Sequence, residues 1–155
     1  MKIHTITKDQ LDKNNNYVGN TDLTDFKGHL ESDENLGCVK FKSLKIGGRI
    51  LFKAGSGIKS SGEIIAGHGI TSGKTVEAKG GIISGLGILA IGEIVSGGVI
   101  KTPLAIVSGE KITARLGFKK VIAKSSMYKE IYKWMADGRK FKADGRKFKA
   151  ADIKY

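Results

Sequence analysis

The chain has 155 residues, among them 22 glycines, one proline and one cysteine, and carries a formal net charge of +12. One cysteine excludes an internal disulfide framework, and no apolar stretch free of glycine and charge reaches the length of a membrane span. A balance this basic favours polyanionic partners, and it also serves plain solubility.

The opening residues, MKIHTITKDQL, lack the apolar core of a secretion signal. With Cys38 unpaired, they predict a reducing, cytoplasmic setting. Residues 1–45 are electrically balanced, with seven lysines against seven acidic residues. A large residue followed two positions later by a small one appears at Leu30–Ser32, Leu36–Cys38 and Phe41–Ser43, at uneven spacing. Residues 1–45 are therefore expected to form a cap and a distorted first coil.

From Ile46 the spacing becomes regular. Ile46, Phe52, Ile58, Ile64, Ile70, Val76, Ile82, Ile88, Ile94, Ile100, Ile106, Ile112 and Phe118 follow one another every six residues. Two positions after nearly every one stands a small residue: Gly48, Ala54, Ser60 and so on to Ala114, with Lys120 the exception. Period six fits neither an amphipathic helix nor a long two-sided strand. It fits short strands joined by corners, in which residues two apart share the inward face. Glycine often follows the small residue, as at Gly55, Gly67, Gly73, Gly85 and Gly97. Such glycines suit a corner that needs φ > 0.

Residues eighteen apart form files of like character. One reads Ile50, His68, Leu86, Leu104, Ile122, a second Gly62, Gly80, Gly98, Leu116, and a third Gly55, Gly73, Ile91, Gly109. Three hexads per coil predict an all-β, single-stranded triangular β-helix with about 18 residues per coil over residues 46–123. His68, in the first file, either points inward or sits at a corner, and reads as a buried, hydrogen-bonded histidine rather than a catalytic one.

Outward positions in the middle coils are apolar. Ile65 stacks under Ile83 and Leu89 under Val107, with Val95 nearby. Such stripes mark these five residues as a candidate interface for a homo-oligomer. They are equally well placed to be covered by the C-terminal segment.

Residues 124–155 form a third segment. Ser126 precedes MYKEIYKWMA, in which Met127, Ile131, Trp134 and Met135 fall at helical spacing, so a short C-terminal α-helix is expected there. ADGRKFK then occurs twice, at 136–142 and 143–149. The Asp-Gly turns and the alternating Arg-Lys-Phe-Lys runs predict a β-hairpin-like tail. Its cations extend a cluster that begins in the last coil: Lys119, Lys120, Lys124, Arg139, Lys140, Lys142, Arg146, Lys147 and Lys149, with Phe141 and Phe148 interleaved. Cations beside aromatic rings make this a candidate anion-binding arm for nucleic acid or an acidic protein surface.

Catalytic chemistry is not legible. His4, His29 and His68 are scattered, and no metal-ligand cluster or cofactor motif appears. GHGITSGKT at 67–75 fails as a phosphate loop, because counting from Gly67 the motif requires glycine at 72, which is Ser72. The chain is expected to be non-enzymatic, with no cofactor.

The I-x-[AS]-G-x-x cadence of residues 46–123 resembles two groups. One is the bactofilin-like polymer-forming proteins, whose triangular β-helices stack into filaments. The other is a set of small phage and prophage β-helix proteins with similar repeats. Hexapeptide acyltransferases share the period alone, since their small residue stands two before the aliphatic one. The first resemblance implies a self-assembling solenoid. The second implies a phage-encoded inhibitor acting in the host cytoplasm on a macromolecular complex, or a nucleic-acid or nucleotide-binding protein.

Overall fold

Each coil lays one short strand on each of three faces of a triangular prism. A computed structural model describes residues 1–119 and Ile153–Lys154. In chain order the strands are β1 (Ile3–Ile6), β2 (His29–Ser32), β3 (Cys38–Phe41), β4 (Leu44–Ile46), β5 (Ile50–Phe52), β6 (Gly57–Ser60), β7 (Ile64–Ala66), β8 (Ile70–Ser72), β9 (Val76–Ala78), β10 (Ile82–Ser84), β11 (Ile88–Ala90), β12 (Ile94–Ser96), β13 (Ile100–Lys101), β14 (Ile106–Ser108), β15 (Ile112–Ala114), β16 (Phe118–Lys119) and β17 (Ile153–Lys154). A single 3₁₀ turn, Lys8–Gln10, is the one helical element among the described residues. The first face is β1-β2-β5-β8-β11-β14, the second β4-β7-β10-β13-β16, and the third β3-β6-β9-β12-β15-β17. All strand pairs are parallel, as a solenoid requires. The C-terminal helix and hairpin expected at 124–150 lie outside the described residues.

From Ile58 onward the register is 18: Ile58 pairs with Val76, Ile64 with Ile82, and Ile70 with Ile88. The aliphatic residue and the small residue two positions later both point inward and are buried. Before Ile58 the frame differs from the sequence expectation. Leu44 and Ile50, not Ile46 and Phe52, stack under the aliphatic residues Ile64 and Ile70. Ile46 and Phe52 occupy the small-residue slot, beneath Ala66 and Ser72. On the third face Val39 lies under Ile58, and Phe41 fills the slot below Ser60. Bulky side chains thus fill all three small slots of one coil. The turn between Phe52 and Ile58 is two residues longer than later turns, and the frame changes there.

The unbroken hexad series is therefore two series joined at this turn, the first in the third inward position and the second in the first. Gly48 and Ala54 fall out of the small-residue role. Two predicted files shift with them: His68 stacks over Gly48 rather than Ile50, and Gly73 over Lys53 rather than Gly55. The file Gly62, Gly80, Gly98, Leu116 stands, with Gly80, Gly98 and Leu116 each donating an N–H to the carbonyl one coil below.

Gly55 has the positive φ expected of a corner glycine, and the other four have a different cause. Among the described residues positive φ occurs in Gly37, Gly55 and Gly117, and in the non-glycine Asn15. Gly67, Gly73, Gly85 and Gly97 do not share it. At these four a Cβ would lie 1.9–2.1 Å from the carbonyl oxygen of the coil below. Close approach excludes a side chain there.

Serine in the small slot completes the corner. The Ser84 Oγ lies 2.8 Å from the His68 carbonyl and 2.9 Å from that of Gly87. Ser72 and Ser108 repeat this pair of contacts. The hydroxyl thereby has a corner carbonyl within reach on either rung, which removes the penalty of an unpaired hydroxyl inside an apolar prism.

Two corner glycines in different surroundings separate this account from one of simple flexibility. Gly85→Ala places its methyl on the Gly67 carbonyl and is expected to cost about 1–3 kcal/mol. Gly69→Ala meets its nearest atom at 3.5 Å, an ordinary contact, and is expected to cost less. Urea denaturation of both variants checks the order; equal losses would show that close approach does not govern these corners.

Candidate basic groove

A hollow of about 680 Å³ lies over the third face beneath an N-terminal loop. Its wall is built by residues 12–18. The Asp12 carboxylate accepts the N–H groups of Asn14 and Asn16 at 2.8 and 2.9 Å, and the Asn16 side-chain amide at 3.0 Å. These bonds, that of the Asn16 side chain first, hold the Asp12 carboxyl below its ordinary range. Asn15 adopts a left-handed conformation with φ 62°. Its amide donates to the Leu36 and Cys38 carbonyls at 2.7 and 3.2 Å. The Lys40 N–H donates to the Asn15 carbonyl, and the Tyr17 N–H to the Lys40 carbonyl. The loop thus satisfies the exposed edge of β3, the usual remedy for an open sheet edge.

Tyr17 anchors the wall. Its ring packs on Phe41 with centroids 5.7 Å apart, and its hydroxyl lies 3.1 Å from His4 Nε2. His4 sits among Tyr17, Thr21 and Phe26. Burial lowers its pKa from the ordinary 6.5.

The groove floor is the first part of the outward file of the third face, Lys40, Lys59 and Glu77, a file that runs on through Val95 and Thr113 beyond the hollow. Lys42, Ser61 and Lys79 form its rim. Glu77 is the one carboxylate among the lining residues, and it pairs with Lys59 at 3.3 Å. An exposed pair of this kind contributes about 0–1 kcal/mol. Lys40, Lys42 and Lys79 are exposed and have no ion-pair partner among the described residues. The hollow is therefore an open trough of excess positive charge with one rigid wall.

A second hollow, about 480 Å³, lies at the corner between the first and second faces. His68 is there, exposed rather than buried, because its position stacks on the corner glycine Gly48 and not on an inward residue. Its ring centroid is 6.0 Å from that of His29. His29 Nδ1 accepts the Arg49 N–H at 2.9 Å, and Arg49 pairs with Glu31 at 2.7 Å. Among the described residues no group of three or more His, Cys, Asp or Glu is placed to hold a metal ion.

The apolar interface candidates divide. Ile65 and Ile83 are half-buried and adjacent on the second face. Val95 is half-buried on the third, between Glu77 and Thr113. Leu89 and Val107 are buried, at 8% and 0% exposure, and offer no open surface. Of the anion-binding candidates, Lys119 lies in β16, while Lys120, Lys124, Arg139, Lys140, Lys142, Arg146, Lys147 and Lys149 lie outside the described residues. The groove cations Lys40, Lys42, Lys59 and Lys79 were not singled out by sequence. Their juxtaposition depends on the 19-residue register between β3 and β6, which the period of 18 does not give.

No protein family, curated protein or solved structure matches this chain. No helix among the described residues is long and apolar enough to cross a membrane.

The lowered pKa of His4 has a signed consequence. Below pH 6.5 the unfolded chain takes up this proton before the folded one, so stability falls with pH from 6.5 down to the folded value. Thermal unfolding at pH 7.5 and pH 5.5 is expected to show a drop in Tm that is smaller in His4→Gln. An equal drop in both proteins would contradict it.

Proposed function

We propose that this chain is a non-enzymatic binding protein that engages a polyanionic partner through its basic surface. The observation that carries the reading is the trough at the third face, where Lys40, Lys42 and Lys79 lack carboxylate partners among the described residues. Desolvating a partner's anions there is offset by cations already held on a rigid sheet.

The chemistry of the interior supports the non-enzymatic part. The buried polar residues are Ser32, Ser56, Ser60, Ser72, Ser84, Ser96, Thr102 and Ser108. Their hydroxyls bond to backbone groups: Ser32 accepts the Lys53 N–H, Ser56 bridges Glu34 and Leu36, and the rest donate to corner carbonyls. These hydroxyls serve the fold. A phage-encoded inhibitor of a host complex, as the repeat resemblance implies, is one biological setting for such a surface. Self-assembly of the bactofilin type is the competing role.

Retention on a heparin column tests the reading. The full chain is expected to elute at raised salt, and Lys40→Gln/Lys42→Gln/Lys79→Gln at clearly lower salt. Passage of the unaltered chain without retention at low salt would refute it.

A further inference from the structure

Three ion pairs join residues one rung apart on the prism: Glu31 with Arg49, Lys59 with Glu77, and Glu93 with Lys111, each across 18 residues. The edge at the end of the third face holds three cations with no such pair among the described residues. Its file, in register, is Lys42, Ser61, Lys79, Gly97, Arg115, joined by the ladder in which Ser61, Lys79, Gly97 and Arg115 donate to the coil below. Cations alternate here with small neutral residues. Gly97 is held to glycine by the Lys79 carbonyl, 2.0 Å from where a Cβ would stand.

Lys42, Lys79 and Arg115 are all exposed. None pairs with a carboxylate among the described residues. With rungs about 4.8 Å apart, neighbouring cations are separated by about 10 Å and the line runs about 19 Å. A separation near the Debye length keeps their mutual repulsion small.

We infer that this edge holds the phosphate backbone of double-stranded nucleic acid, without reading its sequence. The inference rests on the basic-surface reading above and names the partner. A duplex carries one negative charge per about 1.7 Å of axis. A rigid polyanion of that charge density offers phosphates to cations spaced along a straight edge. An acidic protein has to match three fixed points across about 19 Å. A single strand gains much of its affinity from base stacking on aromatic rings. The groove's aromatic residue with a surface position, Tyr17, is packed instead against Phe41 and bonded to His4. Phosphate contacts alone carry no base information, so unrelated sequences bind alike.

The test uses the full chain and fluorescence anisotropy with two unrelated 20-base-pair duplexes, the corresponding single strands, and polyglutamate. Both duplexes are expected to bind equally and more tightly than the single strands or polyglutamate. Lys42→Gln/Lys79→Gln/Arg115→Gln should weaken duplex binding and reduce the slope of log K against log salt by about 2–3. A control that removes the same charge elsewhere, Lys53→Gln/Lys74→Gln/Lys101→Gln, should weaken it much less. Circular dichroism confirms that both variants keep the fold. Equal loss in both triples, a preference for single strands, or binding to polyglutamate alone would overturn the inference, the last leaving the broader reading intact. Failure to bind any of these polymers would remove both.

Discussion

The corner is the constraint on which this molecule depends. A coil must turn three times while every carbonyl that enters the apolar interior keeps a partner. Where neighbouring coils touch, the corner residue is glycine, and a hydroxyl in the small slot must reach a corner carbonyl to be satisfied. Ser72, Ser84 and Ser108 do this by sitting between a carbonyl of their own coil and one of the coil below. Glycines such as Gly67 and Gly85 let the lower carbonyl approach closely. Once corners are fixed, the aliphatic stack from Ile58 to Ile112 fills the prism with one side chain per side per coil.

Surface chemistry follows from the same geometry. Because register is nearly constant, residues one coil apart are neighbours, and their charges either cancel or accumulate along a line. Glu31 and Arg49 cancel, as do Lys59 and Glu77. Lys42, Lys79 and Arg115 accumulate. The N-terminal loop adds a wall to this basic side while it covers the edge of β3, so one element both caps the sheet and shapes the groove.

The architecture was legible because a strict period is a strong constraint: the hexads from Ile58 onward give the faces, the 18-residue coil and the buried positions directly. The frame before Ile58 was not legible, since Ile46 and Phe52 keep the period while changing inward position. Only pairing shows that Leu44 and Ile50 head those strands. His68 was misplaced by the same two-residue shift. Four of the corner glycines were read for backbone freedom when the cause is contact between coils, which a single sequence does not display. The groove was hidden for a related reason. Its wall is irregular, held by Asp12, Asn15 and Tyr17, and its lysines come from strands whose register is 19 rather than 18.

Register therefore carries both the fold and the charged edge, and disulfide trapping measures it most directly. In a Cys38→Ser background, Lys45→Cys/Ile65→Cys joins residues paired across adjacent strands. Gly47→Cys/Ile65→Cys joins residues that would pair if the 18-residue register held without a shift. Parallel neighbours lie within the range a disulfide can bridge. Rapid, near-complete oxidation of the first pair and little of the second is the predicted result. The reverse order would contradict the frame and the surface built on it.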